Sequence, residues 1–347
     1  MSEAFSGRHA LVKAMATAAL GVMAALAAAS DACAWGDTGH RMIGVLGAQA
    51  LPADLPTFLR APGVAADIGE LAREPDRWRN SGRVHDSLRD PAHFVDVDDN
   101  GRVLGGPLLS ALPPTRAEYD AAIRAAGSDP AKAGWLPYAI VDGWQQLAKD
   151  FSYWRADVAG ERLDKDPAHH AWLTADRLRR ERQIVQDLGI WAHYVGDATQ
   201  PMHVSVHFNG WGEGPNPQGF TTERIHVPFE GPFVRLHVTE AMVRARMQPY
   251  RACGAGIERC TADYLGDSFR HLVPFYEMEK AGGLRGEHPA GADFAAERIA
   301  AAASELRNLV IDAWNASAAT PVGYPPTPVG EVEAGRANAY WLLYGDD

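Results

Sequence analysis

The sequence predicts an all-α protein: a single, mainly helical domain with long connecting loops. Three observations carry that expectation. Apolar residues recur three and four positions apart over several long stretches, the spacing of one buried helix stripe. Alternating apolar and polar runs are scarce, and none is flanked by paired turn signals. Residues 204–225 (VSVHFNGWGEGPNPQGFTTERI) fit neither pattern, and an irregular segment of that length in a compact domain is usually functional or disordered.

In chain order, the helical stretches are 39–50 (GHRMIGVLGAQA), 116–126, 138–154 (YAIVDGWQQLAKDFSYW), 173–196 and 293–316. The last is the plainest: an Ala-rich run with Ile299, Leu306, Leu309, Val310 and Trp314 on one stripe. Residues 320–332 (TPVGYPPTPVGEV) read as an extended tail. No repeat and no linker divides residues 35–347, a length that can bury one large core.

Residues 1–34 read as a signal peptide that is removed. Arg8 and Lys13 form a positive start, residues 14–29 (AMATAALGVMAALAAA) an uncharged run, and Ala32-Cys33-Ala34 an A-x-A cleavage site. The uncharged run is short of the ~20 residues of a membrane span. A lipoprotein reading through Cys33 lacks a Leu three positions before it. Cleavage after Ala34 would leave Trp35 as the first residue, in a secreted or periplasmic protein with no membrane anchor.

The net charge of −11 argues against broad, sequence-blind binding to duplex nucleic acid, but not against a small site whose positive charge comes from metal ions. Beyond Cys33 only Cys253 and Cys260 remain, and in an exported chain they are expected to pair. Two buried free thiols are the alternative.

The chemistry gathers on histidines and carboxylates. In 190–203 (IWAHYVGDATQPMH), His193 and Asp197 stand at i and i+4, on one helix face. Gln200-Pro201 ends or restarts that helix, and His203 follows on a new trajectory. His226 and Glu230 repeat the spacing in 226–230 (HVPFE). Zinc takes imidazole nitrogen and carboxylate oxygen, usually in fours, and two such pairs with His203 exceed the needs of one ion. One pair alone would read as a surface contact. Upstream stand Asp76 and Arg79 in 74–79 (EPDRWR), His93, Phe94 and Asp96 in 91–96 (PAHFVD), and Trp35 and His40 in WGDTGH.

This series resembles the superfamily of trinuclear zinc enzymes that contains the single-strand-specific nucleases (the S-one and P-one type) and the bacterial zinc phospholipases C. The resemblance runs from Trp35 to Glu230 through D-x-x-R, H-F-x-D, H-x-x-x-D-x-x-Q-P-x-H and H-x-x-x-E. It implies three Zn²⁺ ions. Asp76, His93 and His193 would hold one; the amino nitrogen and carbonyl oxygen of Trp35, with His40, a second; and Asp197 would bridge these two. His203, His226 and Glu230 would hold the third. The metals would lower the pKa of the attacking water and neutralise the leaving oxygen. Arg79 would clamp the phosphate.

The resemblance also frames the substrate. Phe94 and Asp96 match nuclease positions that stack on a base and bind its edge, a mode suited to unpaired strands. The intervals Trp35–His40 and His203–His226 also resemble the nuclease layout. Glu230, and the stretch 93–98 (HFVDVD), are closer to the phospholipase branch. The expected activity is an endonuclease on single-stranded DNA or RNA that leaves 5′-phosphorylated products, with 3′-nucleotidase activity and no stable protein partner. The alternatives are a zinc-dependent phospholipase C and a non-catalytic zinc-binding protein. His85, His207, His237 and His271 are expected to serve ordinary surface or loop roles.

Overall fold

The computed structural model describes residues 35–212, 214–286 and 288–344. The predicted signal peptide, residues 1–34, lies outside the described residues. The architecture is mainly helical, as expected, and among the described residues the only strands are the two-residue β1 (Pro321–Val322) and β2 (Thr327–Pro328).

Three long helices make the frame: α5 (Leu136–Leu163), α6 (Pro167–Asp197) and α9 (Pro289–Ser317), joined by α1 (Gly36–Gln49), which crosses all but α5 among the strongest packings. Helix α9 buries Ala295, Ile299, Ala302, Ala303, Leu306, Leu309 and Val310. Its alanines leave little between backbones, so α1 and α5 can come close on either side. The start of α6 lies earlier than the apolar stripe suggests. Asp166 caps it, its carboxylate accepting from the amides of Ala168 (2.7 Å) and His169 (3.3 Å), and Pro167 fills the first helical position, which needs no amide proton.

Between α1 and α5 come α2 (Val64–Leu71), the single turn α3 (Glu74–Arg77) and α4 (Arg116–Ala125). Thr115 and Glu118 cap α4 reciprocally. Helices α7 (Ile257–Arg270) and α8 (Leu272–Lys280) complete the order before α9. Cys253 and Cys260 are disulfide-bonded, as expected, just at the start of α7. No helix among the described residues is long and apolar enough to cross a membrane.

Residues 320–332 do not form the extended tail that their prolines suggest. They turn back through the β1–β2 hairpin into a short helix, Val329–Glu333. Val322, Val329 and Val332 form a second apolar cluster with Ala156, Ala159 and Leu173 of α5 and α6. Burial of those valines outweighs the local preference of the prolines.

Candidate metal centre

The C-terminal end of α6 is the organising element. His193 and Asp197 lie one turn apart on its buried face, and α1 brings His40 against them. The His40 and His193 rings stack at 3.8 Å. His93 ends a single 3₁₀ turn (Asp90–His93), and His203 lies in another (Pro201–Val204). The backbones after these turns run side by side: Val95 N–H donates to His203 carbonyl (2.9 Å) and Val206 N–H to Val97 carbonyl (3.1 Å). His226 and Glu230 lie on a short helical segment that widens into a π turn at Phe229–Phe233.

Three sets result, each with ligand atoms within 4.8 Å of one another: His40, His193 and Asp197; Asp76, His93 and His193; His203, His226 and Glu230. His193 belongs to two. Asp197 reaches both of those with different oxygens: Oδ1 lies 3.3 Å from His40 Nε2, and Oδ2 lies 3.1 Å from His93 Nδ1 and 3.3 Å from His193 Nε2. The Asp76 Oδ1 stands 3.9 Å from His193 Nε2 and 4.0 Å from His93 Nδ1.

The tautomers show what the sets are suited to hold. His203 Nδ1 lies 2.6 Å from the His93 carbonyl, and His226 Nδ1 lies 2.6 Å from the Phe208 carbonyl. A carbonyl only accepts, so Nδ1 carries the proton in both rings and donates. Each Nε2 is thereby turned to the interior of the set. The two Nε2 atoms face one another at 2.9 Å, with Glu230 Oε1 at 2.7 Å from His226 and 3.3 Å from His203. A cation lying among these three atoms would satisfy all of them at once. His193 repeats the arrangement, its Nδ1 2.8 Å from Ala72 carbonyl and its Nε2 turned to His93 Nδ1 at 2.9 Å. Backbone carbonyls holding the far nitrogen of each imidazole are the usual support of metal-ligating histidines.

Polar atoms left over point the same way. Both His40 nitrogens, Asp76 Oδ1, His93 Nε2, Asp197 Oδ1 and Glu230 Oε2 are buried without a hydrogen-bond partner. Buried polar atoms are normally paired, and six of the fourteen unpartnered ones among the described residues fall on the three sets. The residues therefore fit metal cations.

Electrostatics accommodate the carboxylates. Burial opposes ionisation of Asp197, but His193, His40 and His93 outweigh it and hold its pKa well below the ordinary range. Glu230 is likewise lowered against its burial by His226 and His203. Burial opposes charging of His203, but Glu230 and Asp197 lift it to about 9. Burial lowers His40 and His93.

The remaining predicted residues surround the sets. Arg79 stands at the edge, its Nη1 3.6 Å from Asp76 Oδ1 and its Nε 3.1 Å from Asp90 Oδ1. Phe94 is half-buried, its ring edge against Gly134. Asp96 forms no side-chain hydrogen bond among the described residues, and burial pushes its carboxyl up to about 7 against the pull of His203. Trp35 is fully buried. Its indole N–H lies 2.9 Å from Gly196 carbonyl and 3.2 Å from Thr199 Oγ1, which fixes the start of α1 beside Asp197. The peptide bond that would be cut before it involves Ala34, outside the described residues.

Three features were missed. Gln200, read from the sequence as a helix terminator and a motif residue but given no role at the sets, donates its Nε2 to Glu230 Oε1 while its Oε1 accepts from Met202 N–H (2.9 Å). Tyr194 packs edge-on against His93 (5.5 Å) and His193 (5.6 Å). His207 lies in a loop, within the expected surface or loop role, but is buried. It accepts from Gly212 N–H at Nδ1 (3.0 Å), meets Asp99 Oδ1 with Nε2 (2.9 Å) and stacks on Trp211 at 3.8 Å. Segment 204–225 is thereby held in place, and its Phe208 carbonyl and Asn209 side chain position His226.

No family model matches this chain, and no curated protein matches it significantly. The site and fold define a mainly helical protein with three adjoining histidine–carboxylate sets that could hold metal ions.

Proposed function

We propose that the chain is an exported zinc-dependent phosphodiesterase, an endonuclease of single-stranded DNA or RNA with 3′-nucleotidase activity. The observation that carries this reading is the reach of Asp197 into two sets that also share His193, with a third set held against them through the His93 carbonyl. Adjacent divalent ions are the arrangement suited to displacement at phosphorus. When bound, they supply an acidified water and neutralise the charge of the leaving oxygen.

The chain's own side chains supply the rest. The Arg79 guanidinium, held by Asp76 and Asp90, presents a planar fork to non-bridging phosphate oxygens. Phe94 offers a ring to an unpaired base, and Asp96 a carboxyl to its edge. Asp76 and Asp197 would hold the ions, and with ions bound they would set the position of the reacting phosphate. The Nε2 atoms of His193, His203 and His226 are turned toward the sets by the backbone bonds made at Nδ1. The resemblance of the motif series, and its two nuclease-like intervals, favour nucleic acid over lipid. Glu230 is the feature that favours a phospholipase C.

The test compares rates of the purified mature protein, of measured zinc content, on single-stranded DNA, RNA, a 3′-mononucleotide and phosphatidylcholine. Cleavage of the first three is expected. Hydrolysis of the phospholipid alone would establish the second reading, and inertness toward all four, with zinc bound, the non-catalytic one.

A further inference from the structure

A cleft of about 620 Å³ opens beside the metal-capable sets, between the start of α4 and the helices α5 and α6. Its wall includes Ala92 and Tyr194, the chain neighbours of His93 and His193. It therefore adjoins the second set without containing any of its ligands. Ligand sites of small molecules commonly span about 300–1,000 Å³, so there is room for a nucleotide.

The cleft holds a pre-oriented cation. The Arg116 guanidinium lies over the Trp135 ring at 3.6 Å from its centroid. Trp135 is itself fixed close to the metal-capable sets, its backbone N–H donating to the Pro91 carbonyl at 2.7 Å. Arg116 is exposed and forms no ion pair with a carboxylate among the described residues. In a chain of net charge −11, an arginine held over an aromatic ring without an ion-pair partner among the described residues is available to an anion. Gln145 and the carboxylates of Asp142 and Asp187 stand elsewhere on the lining. Carboxylates repel phosphate but accept hydrogen bonds from amino groups of a base. The lining thus separates one anion position from an acceptor-rich remainder, which matches one nucleotide rather than a run of phosphates.

We propose that this cleft is a subsite for a nucleotide neighbouring the scissile bond, with Arg116 holding its phosphate. The inference rests on the nucleic-acid reading above. Arg116 is a binding residue here and takes no part in bond cleavage.

The experiment is a salt titration of binding. A fluorescent, phosphorothioate-linked hexadeoxyadenylate, which is cut slowly, is titrated by anisotropy into wild type, Arg116→Gln and Arg116→Lys. Loss of one phosphate contact should raise Kd roughly tenfold and reduce the slope of log K against log salt by about 0.7, the single-strand value per contact. Arg116→Lys should recover the slope. Hydrolysis of a 3′-mononucleotide, too short to reach the cleft, should stay within twofold of wild type. Unchanged affinity and slope in Arg116→Gln would overturn the subsite even if the strand is cut. A slope change without any cleavage by wild type would leave the subsite standing and remove the nuclease reading. No binding by wild type would remove both.

Discussion

His203 and His226 turn their Nε2 atoms toward each other at 2.9 Å, while each donates its Nδ1 proton to a backbone carbonyl. Neither ring can relieve the approach by switching tautomer without abandoning a buried carbonyl. A cation among these rings and Glu230 removes the conflict, so metal should contribute directly to stability. Chelation is expected to lower Tm by about 10 °C, the scale of a few kcal/mol of ligand-linked stability in a chain of this size. Calorimetric scans with and without chelator, then with zinc restored, check this. Identical scans in all three would sink the metal assignment.

Gln200 links the end of α6 to Glu230, fixing one carboxylate oxygen with its amide while its own oxygen caps the following turn. Replacing it with Met keeps volume and removes both bonds. The buried Glu230 then loses a donor, a change worth about 1–3 kcal/mol. Support of this kind typically governs metal affinity by 10–100-fold. Competition with a chromogenic chelator should show one of the ions weakened by about that factor in Gln200→Met. Wild-type affinity would mean that Gln200 serves only the turn.

Much of the frame was legible because long amphipathic helices announce themselves. The stretch 293–316 is the middle of α9, Pro289–Ser317, and only the capped ends were out of reach of an apolar stripe. Ligand candidates were legible because helical spacing puts His193 beside Asp197 and His226 beside Glu230. The supporting shell was not. Carbonyls of Ala72, His93 and Phe208 have no sequence signal, since every residue carries one. The burial of His207 within its loop was not legible because Asp99, Trp211 and Tyr276, which bury and bond it, are brought together only by the fold. The valines of 320–332 find their partners on α5 and α6, a tertiary contact no local pattern reports.

Gly36 ties the start of α1 to the third set. It has φ of 51°, and a Cβ there would lie 3.0 Å from the Glu230 carbonyl oxygen and 3.2 Å from Gly231 Cα. Ala at this position is strained by about 1–2 kcal/mol and must also push the Glu230 backbone aside. Gly63 shares the positive φ, at 91°, but a Cβ there meets nothing within 4 Å. Gly63→Ala should therefore lose stability alone, whereas Gly36→Ala should lose both stability and metal, measured as zinc per chain after gel filtration. Equal zinc in the two variants would show that α1 does not position Glu230.

Asp157 tests the frame away from the metal-capable sets. It lies on α5, fully buried, and neither carboxyl oxygen has a hydrogen-bond partner. Burial, with Asp176 and Glu161 nearby, pushes its pKa up to about 8 against the pull of Arg180 and Arg177. An unfolded Asp ionises near 3.9. Between these values the folded chain binds the extra proton, so stability must fall as pH rises from about 4 to about 8. The penalty is complete above the folded pKa and amounts to a few kcal/mol, each pH unit of the interval being worth about 1.4. Asp157→Leu, close in volume, removes both the ionisation and the unsatisfied oxygens. Its Tm should exceed that of wild type at pH 8, and the advantage should shrink steadily toward pH 4. Parallel stability curves across that range would show that Asp157 keeps the same protonation in the folded and unfolded chain, and an advantage growing toward acid would reverse the assigned direction.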